Sequence, residues 1–177
     1  MKWIAIALMG ALTSCAAAAP PRQTSATAIR SPHAPFGSYH TFSFGLSDPP
    51  KAGYEVTPRS LEVQRRLRPV VLAALQEHGY VAQDAGGDFV VKLAAGIGPD
   101  VYRNEQHGAE RAVPTGLARG YIGIDIYDRS TGSEVWQGSA FAEIDPATID
   151  DSLLTMGVNH MLKDLPISDS GGAAKSH

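Results

Sequence analysis

Two apolar segments joined by a short polar turn set the tightest limit on the fold. ARGYIGIDIYD (118–128) and EVWQGSAFAEI (134–144) flank the turn DRSTGS, which contains Asp128 and Gly132. Both segments alternate apolar and polar residues, which is the period of a half-buried strand. Because aspartate and glycine are common turn formers, the pattern predicts an antiparallel hairpin with Asp128 supporting its turn.

The register of this hairpin follows from which residues must share the buried face. If Tyr127 lies opposite Val135, three isoleucines face three residues of the second strand: Ile122, Ile124 and Ile126 with Ala140, Gly138 and Trp136. A one-residue slip would set the isoleucines against polar side chains, so we predict the first register. Trp136 then becomes a core anchor, and Gly138 gives its ring room. The alternative for Trp136 is stacking on a ligand.

Two amphipathic helices are expected in addition to the strands. The first opens with Thr57-Pro58, a good capping pair, and ends at Gly79. Pro69 interrupts it, so we expect either a kink or a regular helix that begins near Arg68. The second helix should follow Asp145, with its apolar stripe in 149–165.

The order of elements predicts the fold class. Further strands are expected at 39–46 and 88–96, which gives the order β-α-β-β-β-α. We therefore predict an α+β two-layer sandwich, with a mostly antiparallel sheet and both helices on one face.

The amino terminus predicts export. Residues 1–14 carry one lysine and then an apolar stretch shorter than the ~20 residues that span a bilayer, which is typical of a signal peptide. Leu12, Thr13, Ser14 and Cys15 resemble the lipobox of bacterial lipoproteins. That resemblance implies cleavage before Cys15, its acylation, and anchoring at the periplasmic face of the outer membrane. The alternative is an ordinary secretory leader that is cut after Ala18.

Composition sets the expected domain limits. Residues 15–35 are rich in Ala, Pro, Ser and Thr and predict a flexible tether, a single domain should cover 36–166, and 167–177 should be a disordered tail. The polar stretch 98–116 has no period and predicts a long loop. A candidate interaction surface lies in it, formed by Tyr102, Arg103, His107 and Arg111. The alternative is a loop without a partner.

Several classes of function are disfavoured by what the chain contains. A net charge of −3 argues against nucleic acid as a partner, and a single cysteine excludes a disulfide framework within the chain. The six histidines have no metal-ligand spacing, so we predict no metal and no cofactor. Five carboxylates near the hairpin would have to converge in a cleft to act as a hydrolase: Asp125, Asp128, Glu134, Glu143 and Asp145. Turn and capping roles explain Asp128 and Asp145 more simply, so no enzyme is predicted.

Short motifs recur in an order that resembles a known family. They are Y-x-T-F from Tyr39, A-L-x-x-x-G-Y from Ala74, D-F-V-V from Asp88 and D-x-x-T-G-x-x-V-W-x-G-x-A from Asp128. Together they resemble the envelope lipoproteins called domain of unknown function 4136, over about 38–166. The resemblance implies an anchored domain without assigned chemistry. We expect a non-enzymatic structural or interaction module of the envelope, of unknown oligomeric state, with envelope proteins as partners. The alternative is a carrier for a lipid or another apolar molecule between helices and sheet.

Overall fold

A six-stranded sheet with two helices on one face makes up the part of the chain that the computed structural model describes, residues 24–104, 112–145 and 147–169. In chain order the elements are β1 (Thr24–Arg30), a short 3-10 helix (Phe36–Ser38), β2 (Thr41–Phe44), α1 (Pro58–Glu77), β3 (Val81–Ala82), β4 (Phe89–Asn104), β5 (Ala112–Asp128), β6 (Glu134–Ile144) and α2 (Asp151–Leu162).

The strand order across the sheet is β1-β6-β5-β4-β2-β3. Neighbours are antiparallel except around β2, which is parallel to both β3 and β4. The predicted α+β two-layer sandwich, with a mostly antiparallel sheet and both helices on one face, is confirmed. The predicted order β-α-β-β-β-α is incomplete, because it lacks the edge strands β1 and β3.

The β5–β6 register also agrees with the prediction at three points. Ile122 lies opposite Ala140, Ile124 opposite Gly138 and Ile126 opposite Trp136. It departs at the turn, where Tyr127 pairs with Glu134 because the ladder shifts there. Such an irregularity places an extra residue in one strand, and it allows two consecutive side chains, Val135 and Trp136, to be buried together.

The first strand corrects the predicted domain start. Residues 24–30, expected in the flexible tether, form β1 and pair antiparallel with β6 from Thr24–Ala142 to Arg30–Trp136. Its side chains are almost all exposed, so composition gave no sign of a folded segment. Pairing along a sheet edge uses backbone amides and carbonyls, which every residue except proline supplies.

The carboxyl end is also ordered beyond the predicted limit. Ser168, expected in the disordered tail, is only 2% exposed. Its hydroxyl donates to the carbonyl of Tyr39 at 3.0 Å, and its amide donates to the carbonyl of His78 at 2.8 Å. Domain limits of 36–166 were therefore too narrow at both ends.

The first helix starts at the predicted Thr57-Pro58 pair, whereas the second starts later than predicted. α1 begins at Pro58, where Thr57 and Ser60 form a reciprocal capping box, and it continues through Pro69. The predicted restart near Arg68 is therefore wrong, because a buried stripe on both sides of Pro69 holds the helix against the sheet. α2 begins later than predicted, after the cap Asp150; Asp145 instead accepts the amide of Ala147 at 2.8 Å in the preceding turn.

The predicted loop 98–116 is largely strand. β4 continues to Asn104 and β5 starts at Ala112, with ladder irregularities around Asp100. Backbone pairing extends the β4–β5 hairpin beyond the apolar sheet, which explains why hydrophobic periodicity stopped near Ile97.

Trp136 lies in the core, as predicted. It is 2% exposed and meets the ring of Phe36 edge-on, with centroids 6.2 Å apart.

Candidate functional site

A cavity of about 320 Å³ lies between the two layers at one end of the sheet. Its walls come from the amino-terminal turns of α1, from α2 and the segment before it, and from β1, β4, β5 and β6. Apolar side chains line most of it, including Val63, Ile122, Ile144, Leu153 and Leu154. Its size is at the lower end of the ~300–1,000 Å³ range of small-molecule sites.

Small residues create this space. The sheet floor of the cavity carries alanine where larger side chains would fill the gap: Ala26, Ala95, Ala140 and Ala142. At Gly157 of α2, an added Cβ would lie 3.0 Å from Cδ1 of Ile122. The helix thus rests directly on β5 at that point, and the cavity opens beside it because the alanines leave their volume empty.

Most polar groups of the cavity lie at its edge; the buried exception is Ser60, whose hydroxyl bonds to the backbone of Thr57. Thr24, Ser25, Thr148 and His160 are exposed there. The carboxylate of Asp150 accepts the amides of Ser152 and Leu153 as the α2 cap. Among the described residues that line it there is no lysine, arginine or cysteine. The arrangement is suited to holding a hydrocarbon body.

A second, polar cleft lies at the opposite end of the sheet and includes Asp88 and Asp128. Oδ2 of Asp88 accepts the amides of His40 and Thr41 and the hydroxyl of Thr41, each at 2.9 Å. These bonds, led by the one from the His40 amide, lower the pKa of Asp88.

Asp128 joins the β5–β6 turn to the start of the domain. Its Oδ1 accepts from Ser130 Oγ at 2.6 Å and from the amide of Thr131 at 2.7 Å, while Oδ2 accepts from Tyr39. The bond from Ser130 is the main cause that lowers the pKa of Asp128, followed by those from Tyr39 and Thr131. Gly132 completes the turn with φ of +70°. Because Asp88 and Asp128 are both held as anions, neither is tuned for proton transfer near neutral pH.

A third polar cluster lies on the sheet face away from the helices. Lys92 donates to Oδ1 of Asp48 at 3.1 Å, and the hydroxyl of Tyr127 donates to Oδ2 at 3.2 Å. Asp125, the cross-strand neighbour of Lys92, has one buried oxygen without a hydrogen-bond partner. Burial, with help from Glu134 and Asp48, raises the pKa of Asp125 to about 6.

The predicted site residues are scattered. Asp125 and Asp128 belong to opposite sheet faces, and Glu143 pairs with Arg119 far along the hairpin, so the five carboxylates do not converge. Tyr102 and Arg103 lie on β4 opposite Pro114 and Val113. The rest of the predicted set lies outside the described residues: Leu12, Thr13, Ser14, Cys15, His107 and Arg111.

Gly138 serves a different neighbour from the one predicted. An added Cβ would lie 3.0 Å from Cβ and 3.2 Å from Sδ of Met161, so the glycine makes room for α2 and not for the ring of Trp136. Within the described ranges, no three His, Cys, Asp or Glu side chains are grouped as metal ligands. Nor does any helix there combine the length and apolarity needed to cross a membrane.

The family model for a domain of unknown function, DUF4136, matches residues 29–167. The chain belongs to the DUF4136 family. The predicted family is thus confirmed, and its lower limit falls inside β1. No curated protein sequence matches the chain.

Solved structures share the DUF4136 fold at low sequence identity. The PelC dodecamer from Paraburkholderia phytofirmans is 14% identical with a TM-score of 0.51, over 83% of this chain and 99% of PelC. A PDZ domain protein from Parabacteroides distasonis is 14% identical with a TM-score of 0.55, over 84% of this chain and 37% of that one. A DUF4136 protein from Bacteroides thetaiotaomicron is 12% identical with a TM-score of 0.48, over 79% and 94%.

The sequence suggested an apolar site between helices and sheet only as the alternative function, and it did not locate the cavity. A signal was present, since small residues alternate along β6 at Gly138, Ala140 and Ala142 and return in β1 at Ala26. Such a stripe can equally mark a close helix contact, which is its role at Gly138. Only the placement of α2 distinguishes the two.

Proposed function

We propose that this DUF4136 protein is a lipoprotein of the bacterial envelope whose domain binds an apolar molecule between helices and sheet. The observation that carries the proposal is the cavity, because apolar side chains line most of it and most of its polar groups lie at the edge. The motif Leu12-Thr13-Ser14-Cys15 supports attachment through an acylated Cys15 at the periplasmic face of the outer membrane.

A binding role without catalysis agrees with the state of the polar groups. The carboxylates of the second cleft, Asp88 and Asp128, accept bonds from backbone amides and hydroxyls that the fold itself requires. Asp125 has a raised pKa but does not line either cleft. None of these groups belongs to a cluster of metal ligands in the described part of the chain.

Binding is tested by measuring the affinity of the purified, full mature protein for a fluorescent naphthylamine dye. Ala26→Phe fills the cavity from β1, while Ala28→Phe adds the same ring two residues along the same strand, outside the cavity. We expect Ala26→Phe to weaken dye binding about tenfold or more, equivalent to 1.4 kcal/mol, and Ala28→Phe to leave it unchanged. Equal binding by both variants would exclude the cavity as the site.

The anchor is tested separately by mass spectrometry of the mature amino terminus from native membranes. An acylated Cys15 as first residue is expected, and Cys15→Ala should release the exported protein into the soluble fraction. An unmodified terminus downstream of Cys15 would support the alternative secretory leader.

A second candidate role is assembly with an envelope protein or with further copies through β1. This strand pairs only with β6, so its other edge is open to strand addition in the described structure. PelC, which shares the fold, is a dodecamer. The amide of Ser31 bonds to β6, so by strand alternation the amide of Ala28 faces the open edge. Replacing Ala28 with proline should therefore abolish such an assembly in sedimentation measurements if the open edge carries it, whereas the same change at exposed Ala85 should not.

A further inference from the structure

We infer that the cavity takes one acyl chain of a bilayer phospholipid and that it admits this chain at the end of the domain nearest the membrane. This inference rests on the proposed apolar-ligand function and on the proposed anchor at Cys15. It adds the class of ligand, its source and the orientation of the domain on the bilayer.

The first argument is the length of chain between the anchor and the cavity. Thr24, where the described structure begins, is itself part of the cavity edge. Cys15 precedes it by nine residues, which span at most about 30 Å when fully extended. That distance is about the thickness of one bilayer core. The cavity edge therefore stays near the membrane that holds Cys15.

The second argument is the direction of the strands. Thr24 pairs with Ala142, close to the end of β6, and the cavity lies where β4 reaches Ile97. The β5–β6 turn lies at the other end of the sheet, beyond the pairing of Phe89 with Asp128. Ten residues of β5, from Ala118 to Tyr127, separate the two ends by about 30 Å. The tether thus enters at the cavity end and favours that end as the membrane-facing one.

The third argument is the form of the cavity. Its lining runs from buried Ala95 and Leu154 to an exposed edge that includes Met156, which is 49% exposed. Its volume suits a single chain better than a diacyl lipid. The second chain and the headgroup would remain outside, where the exposed polar groups are. An acyl chain that moves between bilayer and cavity exchanges one apolar medium for another. We therefore expect the membrane to supply the acyl chain and its binding to be reversible.

The test uses the full mature protein in vesicles of phosphatidylethanolamine and phosphatidylglycerol that contain a phospholipid with a diazirine in one acyl chain. After irradiation, we expect labelled peptides from α2 and β6, at Leu153, Met156 and Ile144. Ala26→Phe should reduce this labelling about tenfold, as for the dye, and Ala28→Phe should not. Labelling that is absent, or unchanged in Ala26→Phe, would overturn the inference.

Orientation is measured with a nitroxide on an introduced cysteine, since the chain has no cysteine besides Cys15. A probe at Met156→Cys should approach the bilayer more closely than one at Ala85→Cys, which lies on an exposed bend at the opposite end. Equal distances, or the reverse order, would contradict the proposed orientation.

The outcomes separate the inference from the function on which it rests. If the dye binds in the cavity but no vesicle lipid is labelled there, the membrane source is wrong and the apolar-ligand function stands. If neither binds, both fail. A cavity crosslinked to the protein's own Cys15 peptide, in cells fed a photoreactive fatty acid, would identify the anchor chain as the occupant and overturn the bilayer source.

Discussion

The hydroxyl of Tyr39 donates a hydrogen bond of 2.5 Å to Oδ2 of Asp128, across 89 residues of sequence. The same carboxylate organises the β5–β6 turn through its other oxygen. The segment before β2 and the β5–β6 turn are therefore held together by one carboxylate. This contact fixes the end of the sheet opposite the cavity.

Replacing Asp128 with asparagine should destabilise the domain in a pH-dependent way. The pKa of Asp128 is lowered in the folded state relative to 3.8, so its contribution is fully present above the unfolded pKa and is lost as the pH falls toward the folded value. We expect Asp128→Asn to lose about 2 kcal/mol of unfolding free energy at pH 7, as for hydrogen bonds to charged groups. Urea unfolding from pH 7 to pH 3 should show the two proteins converging below pH 4.

Two further variants make this prediction specific. Tyr39→Phe removes only the bond to Oδ2 and should cost about 1 kcal/mol. Asp84→Asn removes an exposed carboxylate and should have little effect. A loss in Asp128→Asn that is the same at pH 3 and pH 7 would contradict the ionic role of Asp128.

Asp125 should show the opposite pH dependence. Burial raises its pKa to about 6, above the value of 3.8 for an unperturbed aspartate, so the ionised form is disfavoured in the fold. Wild-type stability should therefore increase as the pH falls from 7 through 6 toward 4. Asp125→Asn should be more stable than wild type by about 1 kcal/mol at pH 7.5, a figure reduced for solvent screening, and the gain should disappear near pH 4.

The neighbouring carboxylate provides the control for Asp125. Glu134→Gln removes a like charge, so the pKa of Asp125, followed by carboxyl NMR shifts, should fall. No movement of that pKa would show that the charge of Glu134 does not contribute to raising it. A destabilised Asp125→Asn at pH 7.5 would show that the charge has a partner.

The close approach of α2 to β6 at Gly138 gives a third prediction. A Cβ there would lie 3.0 Å from Cβ of Met161, an atom fixed by the helix backbone. Gly138→Val should therefore cost about 1–3 kcal/mol through overpacking. Met161→Ala, which empties a fully buried position, should cost about 2–5 kcal/mol.

The double variant Gly138→Val with Met161→Ala distinguishes contact from independent damage. Because the added methyl groups would occupy the space that Met161 leaves, we expect the loss in thermal unfolding to be smaller than the sum of the single losses. Strict additivity would mean that the two positions do not share this space.

The parts of the fold that sequence predicted are those with a strong side-chain period. Ile122, Ile124 and Ile126 could be paired correctly because a one-residue slip would have buried polar groups. β1 could not be found in this way, since its side chains are exposed and its pairing is made by the backbone. Ser168 was missed for a related reason: a small polar residue in a polar segment gives no sign that its hydroxyl meets Tyr39.

The candidate site was less predictable than the fold. A cavity is the volume that side chains fail to fill, and its existence depends on where α2 lies relative to Ala140 and Ala142. The sequence supplied the alanines but not that placement. The five carboxylates could be listed from the sequence as a candidate site. They do not form one, because strand alternation places Asp125 and Asp128 on opposite faces of the sheet.

Pro69 provides the last prediction, because α1 continues through it. A proline inside a helix cannot donate to the carbonyl four residues earlier, here that of Arg65, and it crowds that turn. Pro69→Ala restores the donor at an exposed position, at the expense of a more flexible unfolded chain. We expect a net gain of about 1–2 kcal/mol in unfolding free energy, measured by urea denaturation. Pro58→Ala is the matched control, since a proline in the first turn lacks no intrahelical bond, and it should change stability by less than about 0.5 kcal/mol. If Pro69→Ala instead weakens the domain, the proline must shape α1 for its contact with the sheet.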